Sequence, residues 1–277
     1  MLQGTKLIVD IADYRAQEGE LAFWWLGQMG FIFKTACATL ALDPYLDAES
    51  SKRRIPPLLA PEELVGVDYV FGSHDHSDHI DAYTWPRLAK ASPHTRFIAP
   101  ALFADALSAR YGIARDRIIG LTDGQVFEDA EKKVKVTGVA AAHEFLDPDP
   151  DTGLYPSMSF IVESGGVRIF HAGDTCRYEG QESKLRAAGR FDVMILPING
   201  RDAEKYRSNI IGNMDFREAV DLSGTLAPRL AIPGHYDMFP GNTADPIRFV
   251  DYMEAKYPAQ SVWIGGHGQR FVLAKAR

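Results

Sequence analysis

The stretch SHDHSDHID, residues 73–81, places three histidines and three aspartates within nine residues. Protonated imidazoles repel one another, and carboxylates give a core nothing to pack against, whereas a bound cation satisfies both groups. His74 and His76 are two residues apart, so in an extended stretch they face the same way. Asp78 and His79 follow in a turn before a helix and can aim at a second point close by. Four more segments end a predicted strand with a histidine or an aspartate. They are His143 in AAAHE, His171 and Asp174 in HAGDT, His235 in PGHYD and Asp43 in ALDPY. Ligand sites of open α/β folds gather at strand ends, so these segments can converge. Neutral imidazole with carboxylate suits zinc, manganese or iron, not calcium. One cation can take His74, His76 and His143, and a second can take Asp78, His79 and His235, with Asp174 bridging the two. Two divalent ions about 3.5–4 Å apart make a hydrolytic centre.

The elements that would carry these residues follow from apolar runs and turn residues. LAFWWLG and FIFKTA, separated by QMG, predict a hairpin over 21–36, with Phe23, Trp24 and Trp25 as core. TLALDPYL predicts a third strand ending at Asp43, and VDYVFGSH a buried strand over 67–74. A helix over 81–91, the strand TRFIAP, the helix ALFADALSARYG and the strand RIIGLT follow. The second half repeats the rhythm. KVKVTGVAAAH is a strand, and SMSFIVESGGVRIFHAGD a hairpin turning at Ser164-Gly165-Gly166. FDVMILPIN and RLAIPGHY are strands on either side of MDFREAVDLSGTLAP, a helix with Asp215 as its N-cap. DPIRFVDYMEAKYP is a helix and SVWIGGHGQRFVLA a closing hairpin. Hairpins followed by alternating strands and helices, twice over, predict two mixed sheets packed face to face with helices outside, in one domain over 1–277.

Composition narrows the function classes. The 277 residues carry a net charge of −7, which argues against a nucleic-acid footprint. No run approaches the roughly 18 apolar residues of a membrane span, and the N-terminus has no signal-peptide pattern. The two cysteines, Cys37 and Cys176, are far apart, so a reducing, cytoplasmic setting is expected.

The pattern His74-x-His76-x-Asp78-His79 with His143, Asp174 and His235 downstream resembles the metallo-β-lactamase superfamily signature in ligand type and order. WWLGQMGF, SHDHSDHID, HAGDT, the PINGRD stretch with its R.N..GN continuation, and PGHYDMF resemble more narrowly the ascorbate-6-phosphate lactonase branch. The resemblance implies an αββα sandwich, a metal-dependent hydrolase with zinc or manganese, and an oligomer within reach. Water on a divalent cation has its pKa lowered from 15.7 to about 7, so attack by metal-bound hydroxide aimed by Asp78 and Asp174 is the expected chemistry.

Asp43 and His171 are expected behind the ligands, orienting them by hydrogen bonds. Three loops, 45–61, 144–156 and 199–213, are long enough to form a rim. Within the last, Arg201 and Arg207 could clamp an anionic group bidentately with help from Asn209, or could belong to a solvated charged loop. His94 is expected in solvent, His267 in a turn, and Cys176 as a bystander. Three functions remain open: a hydrolase of a small anionic ester or lactone, a phosphodiesterase using the same centre, and a metal-binding protein without catalysis.

Overall fold

The computed structural model describes residues 2–275; Met1, Ala276 and Arg277, the outermost residues of the expected domain, lie outside them. The apolar run LAFWWLG becomes β1 (Leu21–Gly27), and all of it is buried because the strand is covered on both faces. Leu21, Phe23 and Trp25 enter one core, while Ala22, Trp24 and Leu26 enter another. The period-two alternation of a strand sorts six apolar residues into two layers. The tryptophans bury their indoles while keeping their N–H groups satisfied: Trp24 donates to Asp10 Oδ2 at 2.8 Å and Trp25 to the Gln28 carbonyl at 3.2 Å.

The first sheet runs β13-β1-β2-β3-β4-β5-β6. It contains β2 (Gly30–Lys34), β3 (Thr39–Leu42), β4 (Tyr69–Phe71), β5 (Arg96–Pro100), β6 (Ile118–Leu121) and, at its far edge, β13 (Arg270–Leu273). The second runs β12-β11-β10-β9-β8-β7, from β7 (Val126–Asp129), β8 (Val134–Ala140), β9 (Met158–Ser164) and β10 (Val167–His171) to β11 (Val193–Pro197) and β12 (Leu230–Gly234). The β9–β10 turn falls on Gly165 and Gly166, both with positive φ, as a two-residue hairpin turn demands. Helices α1 (Thr5–Asp13), α2 (Thr84–Ala91) and α3 (Ala104–Tyr111) cover the first sheet through Leu7, Ile11, Trp85, Leu88 and Leu107. On the second sheet lie α4 (Gln181–Ala187) and α6 (Phe216–Leu226), with α7 (Pro246–Lys256) packed against α6; α5 (Ala203–Arg207) is a short helix in the 199–213 loop. The result is the expected αββα sandwich.

Strand direction decides where chemistry can collect. β3, β4, β5 and β6 run parallel. In the other sheet β10, β11 and β12 run parallel, and β8 shares their direction because β9 is antiparallel to both β8 and β10. Asp43, Ser73, His74, His143, Asp174, Asn199 and His235 all follow the carboxyl ends of these strands.

Several elements differ from the sequence reading. The closing segment is not a hairpin: only β13 forms, antiparallel to β1, while Val262 makes a single bridge to Ala231. Between them the chain turns tightly at its glycines: a Cβ on Gly265 would sit 2.1 Å from the Trp263 ring, and one on Gly268 2.3 Å from the Leu2 carbonyl oxygen. α1, β7, α4 and α5 arise where no element was expected. Asp215 does cap α6, accepting from the backbone N–H groups of Arg217 and Glu218, while Glu218 returns a bond to the Asp215 N–H.

The core between the sheets should dominate stability. Phe33 is fully buried, with its ring 5.5 Å from Phe23 and 5.7 Å from Phe31, so Phe33→Ala should cost about 3–5 kcal/mol. Val126 is 45 % exposed, and Val126→Ala should stay within about 0.5 kcal/mol. Urea denaturation of both variants checks the contrast.

Candidate metal centre

The carboxyl-end edge gathers all seven expected ligands. His74 Nε2 lies 2.9 Å from His76 Nδ1, which lies 3.3 Å from His143 Nε2. His79 Nε2 is 3.4 Å from Asp78 Oδ2 and 3.4 Å from Asp174 Oδ1. His235 Nε2 is 3.7 Å from Asp78 Oδ2 and 3.0 Å from Asp174 Oδ2. Two triads, His74–His76–His143 and Asp78–His79–His235, each keep their donor atoms within 4.8 Å of one another. Asp174 touches both, because its Oδ2 is also 3.9 Å from His143 Nε2.

Three of the imidazoles, those of His79, His74 and His143, are aimed from behind. Asp43 stands at a left-handed φ of 41° after β3, and its Oδ2 accepts the His79 Nδ1 proton at 2.6 Å. Ser73 donates to the same carboxylate from its backbone N–H at 2.8 Å and its hydroxyl at 2.7 Å, and its Oγ lies 3.1 Å from His74 Nδ1. His143 Nδ1 donates to Asn213 Oδ1 at 3.1 Å, and Asn213 Nδ2 donates to Asp174 Oδ2 at 2.9 Å. Such partners fix tautomer and ring orientation in metal sites. His171 does not contact a ligand: it donates from Nε2 to the Met29 carbonyl at 2.9 Å, and its Nδ1 is 4.0 Å from Asp43 Oδ2. Its position is one bond further back than expected. Ser73, Asn213, Asn199 and Gln28 join the site without having been assigned a role from the sequence, although each sits inside one of the quoted motifs. Amides and hydroxyls are common on any surface, so residue type alone gives no signal for them.

The donor set fits divalent cations. His79 Nε2 and Asp174 Oδ1 are buried and have no hydrogen-bond partner in the protein, and buried polar groups ordinarily find one. Burial drives the pKa of His74 well below the ordinary imidazole value and that of His143 down to about 4, so both present neutral nitrogens. Burial works against charge on His79 too, but the carboxylates of Asp174, Asp78 and Asp43 outweigh it and hold its pKa well above the ordinary value. Burial disfavours the Asp78 and Asp174 carboxylates, yet the neighbouring His79 and His235 keep both ionised. Imidazole and carboxylate, with no thiolate in the set, suit a divalent transition-metal cation.

Above the centre opens a cavity of about 840 Å³, floored by His76, Asp78, His143, Asp174 and His235. Tyr45, Ile210, Ile211, Phe239 and Pro240 form apolar walls, while Asp47, Glu49, Lys52, Asn209 and Asn242 supply polar groups. The loop 45–61 and the end of 199–213 thus contribute to the rim as expected, but 144–156 contributes none of the lining residues, and the segment after His235 takes its place. The arginine expectation needs correction. Arg201 is turned away, bound bidentately to Glu218 at 2.7 and 2.8 Å and to the Asn213 carbonyl at 2.9 Å. Arg207 ends α5, exposed and off the cavity wall, because Asp202 caps the helix and buried Lys205 anchors it to the Asn199 carbonyl. Only Asn209 of the three lines the cavity. His267 lies in a turn, as expected, with Nε2 2.7 Å from Asp237 Oδ2.

Arg201→Ala should therefore leave KM unchanged and lower the melting temperature by the loss of a charged hydrogen-bond set worth about 1.5–3 kcal/mol; steady-state kinetics beside calorimetry checks it. Cys176 is buried, and burial pushes its thiol up to about 11. Since the thiolate is the reactive form, thiol titration of the folded protein should show one fast equivalent, from the half-buried Cys37, and a second only on unfolding.

Comparison with known proteins agrees with this geometry. A family model described as the β-lactamase superfamily domain matches residues 39–236. A UPF0173 metal-dependent hydrolase of Opitutus terrae is 31 % identical over 228 residues, covering 81 % of this chain and 88 % of that protein. Another, of Anaeromyxobacter sp. (strain K), is 29 % identical over 241 residues, covering 85 % and 81 %. Among solved structures, a metallo hydrolase of the archaeon Ignicoccus hospitalis superposes with a TM-score of 0.70 at 20 % identity, covering 92 % of this chain and 99 % of that one, a likeness of fold. No helix among the described residues is long and apolar enough to cross a membrane. A site of five histidines and two aspartates at one edge of an αββα sandwich, a matching family model and a relative above 30 % identity place the chain in the metallo-β-lactamase superfamily and, within it, in the UPF0173 family.

Proposed function

We propose that this protein is a metal-dependent hydrolase of a small anionic ester or lactone, with a sugar-acid lactone phosphate as the leading example. The observation that carries the reading is the convergence of seven ligand side chains at one edge of the sandwich, five of them lining one cavity, with His79 Nε2 and Asp174 Oδ1 buried and unpartnered. His74, His76 and His143 would hold one divalent ion, zinc or manganese, and Asp78, His79 and His235 the other, with Asp174 shared. Bound there, the pair supplies Lewis acidity toward a substrate oxygen and acidifies water.

The chain's own residues do the rest. Asp78 and Asp174 line the cavity as carboxylates and can orient a water toward the substrate by accepting its hydrogen bonds. Asn213 keeps Asp174 and His143 in fixed orientation from behind. Tyr45, whose ring lies 5.8 Å from that of Phe239, and Ile210 with Ile211 exclude water from the apolar part of a substrate. The positive charge of two divalent ions would exceed the negative charge of Asp78 and Asp174, which leaves the floor receptive to an anion. With the arginines directed elsewhere, Lys52 and Asn209 are the rim groups suited to a phosphate or carboxylate on the substrate. The likeness of WWLGQMGF, HAGDT and PGHYDMF to the lactonase branch supports the lactone within this class.

Exhaustive chelation should abolish turnover, and added zinc or manganese should restore it, in a panel of lactones, carboxylic esters and phosphodiesters. Asp174→Ala should lower both metal content and kcat, the latter by at least about 100-fold. Turnover of phosphodiesters alone would replace the ester reading with a phosphodiesterase. Full activity after complete metal removal would end the metal reading.

A further inference from the structure

Gln28 occupies the turn between β1 and β2, and its residue type gives no hint of a part in a metal site. It is fully buried and holds a left-handed φ of 56°, a costly conformation for a residue with a long side chain. Its backbone is tied at both polar groups. Its N–H donates to Asp237 Oδ1 at 2.9 Å, and its carbonyl accepts from the His235 N–H and from Trp25 Nε1, both at 3.2 Å. Asp237 is fixed in turn by His267, whose ring stacks on Trp25 with centroids 4.2 Å apart. Gly27 beside it adds a close approach, since a Cβ there would meet Met238 Cε at 2.6 Å and Asp237 Oδ2 at 3.2 Å.

The side chain of this braced residue reaches the metal centre. Gln28 Nε2 donates to Asp78 Oδ2 at 2.8 Å. It also sits over the imidazole of His235, 3.0 Å from Nε2 and 3.3 Å from Nδ1. The acceptor at Asp78 fixes which end of the amide is nitrogen, and Oε1 is then buried with no partner. Both groups that Gln28 touches belong to the Asp78–His79–His235 triad. Asn213 stands behind the His74–His76–His143 triad instead, while Ser73 Oγ lies between the two, 3.1 Å from His74 Nδ1 and 3.2 Å from His79 Nδ1.

We propose that Gln28 is a positioning residue for one cation of the pair, that of Asp78, His79 and His235. The amide ties down one carboxylate oxygen, so Asp78 cannot swing, and lies across the face of the His235 ring, so the ring cannot rotate. The Asp237–His267 pair stacked on Trp25 keeps the amide there. This inference rests on the two-cation reading of the site, and it assigns unequal supports to the two ions.

The test is zinc binding to metal-free protein followed by titration calorimetry. Wild-type protein should bind two ions. Gln28→Met keeps chain length and burial but removes the donor. It should weaken one ion by about 10–100-fold, leave the other unchanged, and leave the melting temperature of the metal-free protein within a degree or two. Gln28→Asn tolerates left-handed φ and keeps an amide, but falls one methylene short of Asp78, so it should show the same one-sided loss. Two ions bound as tightly in both variants as in wild type would overturn the proposal. So would an equal weakening of both ions with a fall in the metal-free melting temperature, which is the mark of a merely structural residue. Wild-type protein that binds no zinc or manganese would overturn the two-cation reading itself and this inference with it.

Discussion

Three carboxylates press on one buried imidazole. His79 meets Asp43 at Nδ1 and both Asp78 and Asp174 at Nε2, and neither His79 nor Asp43 has any exposed side-chain surface. A single imidazolium cannot balance three negative groups, and charge buried without balance is expensive. His235 supplies part of the remainder, and the rest calls for cations. The fold delivers these mutually repelling groups from β3, β4, β10 and β12 only because the strands of both sheets finish at one edge. The aromatic core between the sheets and the second core beneath α1, α2 and α3 provide the stability that such an arrangement draws on.

Backbone strain is concentrated in the same place. Gln28, Asp43, Glu144, Asn209 and His235 all hold positive φ, and each is at the centre or beside its rim. Gly173, next to Asp174, is held so close to Ser73 that a Cβ would come within 2.5 Å of the serine Cβ. Unfavourable conformations persist where the surroundings over-determine them, and they sharpen the placement of functional groups.

The ligand types, their order and the alternation of strands and helices were legible because each rests on a local rule: an apolar run for β1, strand-end placement for His74 and His235, an aspartate ahead of the helical stretch for the cap of α6. What stayed hidden depends on contacts distant in sequence. Arg201 has the right chemistry for an anion, but Glu218, one turn into α6, captures it. Phe239 and Pro240 line the cavity only because the chain after His235 folds across the opening. α1 lacks acidic residues in its first turn and any side-chain cap, so its sequence announces no beginning; it is defined by Leu7 and Ile11 packing on the first sheet. The closing segment has strand-forming residues on both sides of its glycines, but the two sides meet different sheets, β13 pairing with β1 and Val262 making a single bridge to Ala231 of β12.

The register of β13 against β1 joins residues about 250 positions apart, Leu21 with Leu273 and Trp24 with Arg270. During synthesis from the amino end, the edge of β1 is open until that last partner emerges, and Gln28 likewise waits for Asp237 and His267. Long-range pairing of this kind slows folding and leaves a bare strand edge in the meantime. The nascent chain can therefore gather all seven ligands, the last of them His235, before His267 closes the brace behind Gln28, so the ligand set precedes its full support.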